Sequence, residues 1–235
     1  MQEYLDPTPI LDAAHPRVAA FAREHGGDPS DPRRAAVALY YAVRDGIRYD
    51  PYGAGVDEAS LRASSVLEAG RGWCVSKAVL LSAACRALGI PARLGFADVR
   101  NHLSTERMRK TMDTDVFYYH GYSSIHLGGR WLKATPAFNI ELCEKFRLLP
   151  LEFDGREDSI YHPFDADGRK HMEYVRERGE FADVPLEDIQ ATFREKYPGM
   201  SLGMDGADFD RDVEAETARD VEAETRHDSG AEVAR

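Results

Sequence analysis

Cys74 is the residue of this chain whose type and setting best suit nucleophilic chemistry. It follows Gly70 and Gly72, and it opens an apolar stretch that ends at Gly89 and Pro91. Small and apolar residues recur in this stretch at helical spacing, and a glycine followed closely by a proline ends a helix. The spacing therefore predicts a helix that begins at or within one turn of Cys74.

A cysteine at a helix N-terminus lies where a thiolate is stabilised, because free backbone N–H groups and the positive end of the helix dipole meet there. With a cationic partner, such a cysteine has a pKa of roughly 3.5 to 7.5 instead of about 8.5. The two preceding glycines predict a tight entry that leaves the sulfur exposed. Taken alone, Cys74 also fits a second interpretation, that of a small buried apolar residue.

His120 is the best-placed candidate for the base that would activate this thiol. It lies in an aromatic and β-branched run over residues 117–127, which ends at Gly128-Gly129, a two-residue signal for a β-hairpin. A strand holds an imidazole rigidly enough to accept a proton from a thiol. His126 would point to the same face about 20 Å away, so both rings cannot reach one sulfur. Taken alone, His120 also fits a structural histidine bonded to a backbone carbonyl.

The elements that must position these residues predict an α+β fold. Helical patterns cover residues 17–24, 31–44, 61–68, 141–146, 172–178 and 186–196, and strand patterns cover 92–99, 117–127 and 130–135. In the first 140 residues, helices come first and antiparallel strands follow, which is typical of α+β proteins.

Length and composition are consistent with one main domain. The chain has 235 residues, of which 43% are hydrophobic, and this is enough for a sizeable core. The net charge is −11, and residues 205–235 contribute −7 of it through eleven acidic and four basic residues. The remainder is only mildly acidic and lacks the clustered basic residues that nonspecific nucleic-acid binding needs.

Three parts are predicted along the chain. Residues 1–140 form the core, residues 141–200 form an extension that wraps it, and residues 201–235 form an acidic tail of low complexity. Within the tail, residues 211–217 recur as residues 219–225 with an eight-residue period. Two copies with so few apolar residues cannot build a solenoid or a core, so we expect a disordered or loosely helical tail.

The three cysteines, Cys74, Cys85 and Cys143, form neither a disulfide framework nor a metal-type Cys-x-x-Cys pair. This composition favours a reducing compartment. The first residues lack the pattern of a signal peptide, and nowhere do eighteen apolar residues run together. We therefore expect a cytoplasmic protein that has no membrane partner.

Four motifs in a fixed order resemble those of the bacterial transglutaminase-like superfamily. They are Gly72-Trp73-Cys74, the run Arg86 to Arg93, His120-Gly121-Tyr122 and Gly129-Arg130-Trp131. Members of this superfamily resemble papain in architecture. The resemblance covers about residues 5 to 140. It implies a core in which N-terminal helices, with the nucleophile at a helix N-terminus, pack on an antiparallel β-sheet.

The resemblance also implies roles for individual residues of a Cys-His-Asp triad. Cys74 matches the nucleophile and His120 matches the base. The third member departs from the pattern, because Thr135-Pro136 stands where the family has Asp-Pro. A threonine hydroxyl can accept a hydrogen bond from imidazole but cannot neutralise an imidazolium. The candidates for the third position are Thr135, Asn139, which would match the amide of papain-type sites, or a loop carboxylate from Asp115, Glu141 and Asp154.

The activity that this resemblance implies is cysteine-dependent acyl transfer. A Cys74 thioester would form with His120 as the base, and it would lead to hydrolysis of a peptide or amide bond or to transglutaminase-type transfer. The partner would be a peptide or protein substrate or a small amide, and no metal or cofactor is required. Trp73 and Tyr122 are candidates for contact with the substrate, with a core or lid position as the alternative for Trp73.

Two other functions remain open from the sequence. One is a non-catalytic peptide-binding module, since the usual triad aspartate is replaced by Thr135, which would leave activity reduced or absent. The other is arylamine acetyl transfer from a coenzyme, which shares the triad logic. The motifs around His120 fit the transglutaminase-like pattern better than the acetyltransferase pattern.

Overall fold

The structure is a computed structural model that describes residues 1–28, 30–101, 104–160, 168, 172–198 and 207–219. Its α-helices are α1 (Pro16–His25), α2 (Pro32–Gly46), α3 (Glu58–Leu61), α4 (Ala63–Ala69), α5 (Cys74–Ala87), α6 (Glu106–Met112), α7 (Ile140–Phe146), α8 (Leu186–Lys196) and α9 (209–219). Its strands are β1 (Arg48–Tyr49), β2 (Arg71–Gly72), β3 (Ala92–Asn101), β4 (Val116–Leu127), β5 (Arg130–Ala134) and β6 (Met172–Phe181).

Helix α5 is the central element of the fold. It is buried along its length from Cys74 to Arg86, as expected of a helix whose small and apolar residues surround the axis. Strand β4 lies directly against it, since the Ser123 hydroxyl donates to the Ala78 carbonyl at 2.9 Å. The close approach requires a glycine at position 121, because a Cβ there would lie 2.9 Å from the Cα of Val75.

The main sheet has four antiparallel strands in the order β5-β4-β3-β6. Strands β4 and β5 form the predicted hairpin, and both glycines of its two-residue turn have positive φ, 58° at Gly128 and 81° at Gly129. That geometry is the one that matches the twist of the flanking strands. Helices packed on an antiparallel sheet, with Cys74 at a helix N-terminus, confirm the predicted α+β, papain-like and transglutaminase-like fold.

One predicted helix is wrong. Residues 172–178 belong to β6, which pairs with β3 along its whole length and places Arg176 opposite Asp98. The run of charged residues suggested a solvated helix, but it forms the edge strand of the sheet, where charged side chains prevent further strand pairing. Pairing with a distant strand therefore overrides the local pattern.

The C-terminal end of α5 is fixed by Arg86 and Gly89. The Arg86 guanidinium donates to the carbonyl oxygens of Ala92, Asp6 and Ala182, and Gly89 has a φ of 73°. A left-handed glycine just after a helix is the predicted stop signal. Arg86 thus joins the central helix to the N-terminal segment, to β3 and to the residue that follows β6.

Part of the acidic segment is helical and packed on the body. In α9, Phe209 and Val213 are buried. Residues 199–206 and 220–235 lie outside the described residues, so the expectation for most of the tail, and the predicted boundaries at 140 and 200, stay predictions. Among the helices in the described part of the chain, none has both the length and the apolar composition needed to cross a bilayer.

Candidate functional site

The turn before α5 is held on both sides by backbone pairing. Strands β1 and β2 are parallel and place Tyr49 opposite Gly72. Gly70 has a φ of 63°, the left-handed conformation that lets α4 end directly before β2. Ser76 accepts a hydrogen bond from the Trp73 N–H at 3.0 Å, which satisfies one of the free donors at the helix start. Cys74 is therefore the first residue of α5 on a rigid turn.

The sulfur of Cys74 is covered, which corrects the prediction of an exposed thiol with a lowered pKa. Only 6% of the residue is exposed. Burial raises the pKa of Cys74 to about 12, although the N–H groups of Gly121, Val75 and Cys74 itself act to lower it. The helix N-terminus stabilises a thiolate as predicted, but exclusion of water from the sulfur is the larger effect.

Aromatic side chains from distant parts of the chain surround the Cys74 turn. Tyr49 of β1 pairs with Gly72, two residues before Cys74, and burial raises the pKa of its phenol. The Tyr197 hydroxyl bonds to the backbone of Val116 and Tyr118 on β4. The ring of Trp73, the residue before Cys74, packs against Phe193 of α8, with their centroids 6.0 Å apart. We call these residues the cover of Cys74, and it draws on β1 and on the region around α8.

His120 lies on β4, beside the residue that contacts the sulfur. It is 4% exposed and pairs with Ala97 of β3, and its neighbour Gly121 supplies the N–H that acts on Cys74. Directly before His120, Tyr118 and Tyr119 together oppose a single residue of β3, and Tyr119 has a φ of 56°. Such a β-bulge re-aims the side chains that follow it and is common next to active sites.

Asp98 holds this bulge, and the sequence analysis did not single it out. Its Oδ1 accepts a hydrogen bond from the Tyr119 N–H at 3.2 Å, and the Arg178 guanidinium binds both carboxylate oxygens, at 2.9 and 3.0 Å. The signal in the sequence is an aspartate inside an otherwise apolar strand, where a buried charge requires a partner. That partner is on β6, the strand that the sequence analysis took for a helix.

The candidates for the third triad position lie in different settings. Thr135 is buried, and its Oγ1 makes no hydrogen bond to any residue that the structure describes. Asn139 is also buried, and its Oδ1 accepts a hydrogen bond from the Tyr49 N–H at 3.1 Å, so it contacts the strand beside the nucleophile turn. Of the loop carboxylates, Asp115 pairs with Arg100, Asp154 binds backbone N–H groups of its own loop and Glu141 is exposed on α7.

The two candidates for substrate contact are on different sides of the sheet. Trp73 is the residue directly before Cys74 and is buried against α8. Tyr122 lies over Gly95, and its hydroxyl binds Glu180 at 3.3 Å, whereas the next residue, Ser123, bonds to α5. The structure therefore places Trp73, but not Tyr122, at the Cys74 turn.

A cavity of about 250 Å³ opens beside the same turn. Trp73, directly before α5, and Ser76 of α5 line it, and Asp50, Ser60 and Arg71 supply polar groups. Cys74 is not among the lining residues, so the cavity reaches the turn but not the nucleophile.

A comparison with known protein families agrees with the motifs in the sequence. The sequence profile of the transglutaminase-like superfamily matches residues 19–136, half of the chain, and this range contains Cys74, His120 and Thr135. The profile confirms the resemblance that the motifs predicted. Among curated proteins, none is significantly similar to this chain.

Two solved structures match part of this chain. A candidate cysteine protease from Cytophaga hutchinsonii is 17% identical, with a TM-score of 0.46 over 77% of this chain and 46% of its own. A candidate protease from Parabacteroides distasonis is 13% identical, with a TM-score of 0.36 over 51% of this chain and 23% of its own. The chain thus spans less than half the length of either protein.

Proposed function

The chain belongs to the transglutaminase-like superfamily, and on that premise we propose that it is a cysteine-dependent acyl-transfer enzyme. Family membership supports a cysteine-dependent enzyme. The finer proposal is hydrolysis of a peptide or amide bond, or transfer of the acyl group to an amine, through a thioester at Cys74. The observation that carries it is the place of Cys74 at the first residue of α5, with the N–H groups of Gly121 and Val75 acting on its sulfur.

The proposed reaction has two steps. In the first, the Cys74 sulfur attacks the carbonyl carbon of the substrate while His120 takes the thiol proton, and an S–C bond forms. Backbone N–H groups at the start of α5 stabilise the oxyanion that develops. The C–N bond then breaks, and the amine leaves with the proton from His120. In the second step, water or another amine attacks the thioester, and the thiol is regenerated.

This chemistry requires that the cover over Cys74 opens. With a pKa of about 12, the thiol holds its proton at neutral pH in the state that the structure describes. Access of water and substrate removes the burial effect but leaves the N–H groups in place, so the pKa of the thiol then falls. Opening of the cover would therefore bring in the substrate and activate the nucleophile together.

A peptide-binding module without catalysis is the second candidate. Two observations favour it: the raised pKa of the Cys74 thiol, and an uncharged Thr135 where the family has an aspartate. Such a module would use the same cleft but would form no thioester.

Trapping of the acyl-enzyme separates the two functions. The protein is incubated with short peptides that contain glutamine carboxamides, and intact-mass measurement follows adducts on the chain. An enzyme gives an adduct on Cys74 that hydroxylamine removes, with release of ammonia for carboxamide chemistry or of a shorter peptide for cleavage. Cys74→Ala should abolish the adduct, whereas Cys85→Ala, which alters a buried cysteine of the same helix, should retain it.

One combination of results would contradict the proposed enzyme. If no adduct forms, and iodoacetamide labels Cys74 only as the pH approaches the ordinary thiol range even when the cover is opened by substitution, Cys74 is not an activated nucleophile. The binding module would then replace the enzyme as the proposed function.

A further inference from the structure

Helix α9 lies in a groove whose cations face its acidic side chains. We call this the α9 groove and define it by Arg48, Tyr49, Tyr52, Arg107 and Lys145. The ion pairs and hydrogen bonds across it join Arg48 to Asp208 and Asp210, Arg107 and the Tyr52 hydroxyl to Asp212, and Lys145 to Glu214. The three cations come from three separate parts of the chain, so the groove is a product of the fold and not of one basic stretch.

An apolar edge of α9 extends the contact towards the nucleophile. Phe209 packs against the rings of Tyr49 and Tyr52, with centroid distances of 5.7 and 5.2 Å, and Val213 is fully buried. Tyr49 in turn pairs with Gly72, two residues before Cys74. The residue that anchors α9 therefore rests on the cover of the thiol.

The ion pairs that hold α9 on the body are exposed enough for the helix to dissociate from the groove. The side chains of Arg48 and Arg107 are about half exposed in their ion pairs, and exposed pairs are weak and screened by salt. In α9, the buried apolar side chains are Phe209 and Val213. By contrast, the cations of the groove stay anchored on the body when the helix departs, and they would then lack acidic partners on α9.

The eight-residue repeat of the tail carries part of the α9 contact pattern twice. The α9 residues that contact the body within the first copy are Asp212, Val213, Glu214, Glu216 and Thr217. The second copy carries the same residue types at Asp220, Val221, Glu222, Glu224 and Thr225. Thr217 and Ala218 stand where Phe209 and Asp210 precede the first copy, so the repeated part is the acidic and valine pattern without the aromatic contact to Tyr49.

We propose that the α9 groove is the binding site for an acidic, helical peptide segment of the substrate. Without that segment, α9 of the same chain occupies the groove and keeps Cys74 covered. The word substrate rests on the proposed function, whereas the binding itself does not depend on thiol chemistry. An acidic segment with an apolar residue next to a carboxylate reproduces the contacts of Asp212 and Val213. Phe209 is the α9 residue that packs on Tyr49, so displacement of α9 by a segment without a counterpart of Phe209 would free the Tyr49 side of the thiol as the ligand binds.

The first test measures peptide binding to the full chain in a Cys74→Ala background, so that its outcome is independent of catalysis. The probe is a fluorescein-labelled synthetic peptide of residues 207–219, followed by anisotropy. Val213→Asp places a charge at a position that is buried in α9, Val221→Asp makes the same change in the second copy, and together they should release α9 from the groove. We expect this variant to bind the probe at least tenfold more tightly than the parent chain, whose groove is already occupied.

Four controls and a second release variant fix the interpretation. Ala215→Asp with Ala223→Asp adds the same charge at a position that is exposed in α9 and should bind the probe no better than the parent. Arg107→Ala, added to the released variant, should weaken binding, and so should a rise in salt from 0.05 to 0.5 M. A probe with its Asp and Glu residues replaced by Asn and Gln should not bind. Asp212→Lys with Asp220→Lys provides a second way to release α9 without altering a buried residue.

The second readout is the rate at which iodoacetamide labels Cys74 when that cysteine is present. Release of α9 should raise this rate several-fold, and addition of unlabelled probe peptide should reverse the rise. If both released variants are folded and neither binds the probe better than the parent, the groove is not a peptide site and the proposal is overturned. If the probe binds but the labelling rate is unchanged by release, α9 is not a cover for Cys74, and that half of the proposal fails. Absence of acyl-enzyme alone would refute the proposed function and leave the binding result intact.

Discussion

The first turn of α5 buries two ionisable side chains, Cys74 and Lys77, by different means. The Nζ of Lys77 donates to the carbonyl oxygens of Arg44 and Ile47, where α2 ends. Burial lowers the pKa of Lys77 to about 7. The groups that enclose Lys77 are the backbone of the core itself. Beside Cys74, by contrast, the Trp73 ring packs against a side chain of α8, Phe193.

Lys77 is buried because it bonds to the backbone of the core, whereas Cys74 is buried beneath side chains that could move away. Carbonyl groups at the end of α2 lack partners within the helix, and a lysine amine is a suitable donor for them. Lys77 caps the end of a helix that is not its own. The Cys74 sulfur has no comparable task in the core. The predictions below test whether these two burials can be changed independently.

The largest effect is expected at Lys77. Lys77→Met keeps the length of the side chain but leaves the carbonyls of Arg44 and Ile47 without this donor. Loss of a partner for a buried polar group costs about 1 to 3 kcal/mol, so the variant should lose roughly 2 to 5 kcal/mol in urea unfolding. Lys110→Met removes an exposed lysine that pairs only with Glu106 of its own helix in the described contacts and should change little. An equally stable Lys77→Met variant would contradict the assigned capping role.

The stability of the protein should depend on pH in opposite directions through Lys77 and Cys74. Because the pKa of Lys77 falls from 10.5 to about 7 on folding, the unfolded chain binds more protons than the folded chain between these values. Stability should therefore rise with pH across this window in the parent, and the rise should be smaller in Lys77→Met. For Cys74, the pKa rises from 9.0 to about 12, so its contribution is present below pH 9 and is lost as the pH rises through 12. Unfolding measured between pH 7 and 8.5 isolates the lysine.

Gly121 tests the fixed side of the thiol site. A Cβ at this position would lie 2.9 Å from the backbone of Val75, so Gly121→Ala must push β4 away from α5 at a cost of about 1 to 3 kcal/mol. The Gly121 N–H would then move away from the sulfur, and acyl-enzyme formation should slow. Gly46→Ala is the matched control, because no atom lies within 4 Å of a Cβ built there. Equal stability of the two variants would show that β4 and α5 do not need this close contact.

Local signals in the sequence account for much of the core. Gly89 and Pro91 mark the end of α5, Gly128-Gly129 marks the hairpin, and the glycines before Cys74 mark the entry turn, because each feature is decided by a few neighbouring residues. The motifs that are common to the superfamily add the identity of the fold. The close contact between β4 and the start of α5 also has a signal in the sequence, because Gly121, the residue that permits it, directly follows His120.

Features that depend on distant segments were not predictable in the same way. The direction of the pKa shift at Cys74 is set by burial, and the neighbouring Trp73 packs against Phe193, more than a hundred residues along the chain. The strand assignment of β6 depends on its pairing with β3, and with it the partner of Asp98. A helix N-terminus predicts how a thiolate is stabilised, but only the tertiary structure decides whether water reaches it.

The cover should respond to truncation of an aromatic residue in α8. Phe193→Ala removes the ring that packs on Trp73 and should raise the labelling rate of Cys74 at pH 8 by about tenfold, which corresponds to roughly 1.4 kcal/mol of opening free energy. Peptide mapping distinguishes Cys74 from Cys85 and Cys143, which should stay unlabelled. Val175→Ala truncates an exposed side chain of β6 and serves as the control. An unchanged rate in Phe193→Ala would assign the cover to other residues.

The smallest effect is expected at Thr135, and it decides the third triad position. Thr135→Val replaces the hydroxyl with a methyl group of similar size. Since Oγ1 is buried and makes no hydrogen bond within the described part of the chain, stability should change by less than about 1 kcal/mol, in the stabilising direction. If Asn139 orients His120, turnover in Thr135→Val should stay within twofold of the parent, while Asn139→Ala should lower it. A tenfold fall in turnover at unchanged stability in Thr135→Val would instead assign the orienting role to the threonine hydroxyl, because a group that acts only through packing would not alter the rate without altering the fold.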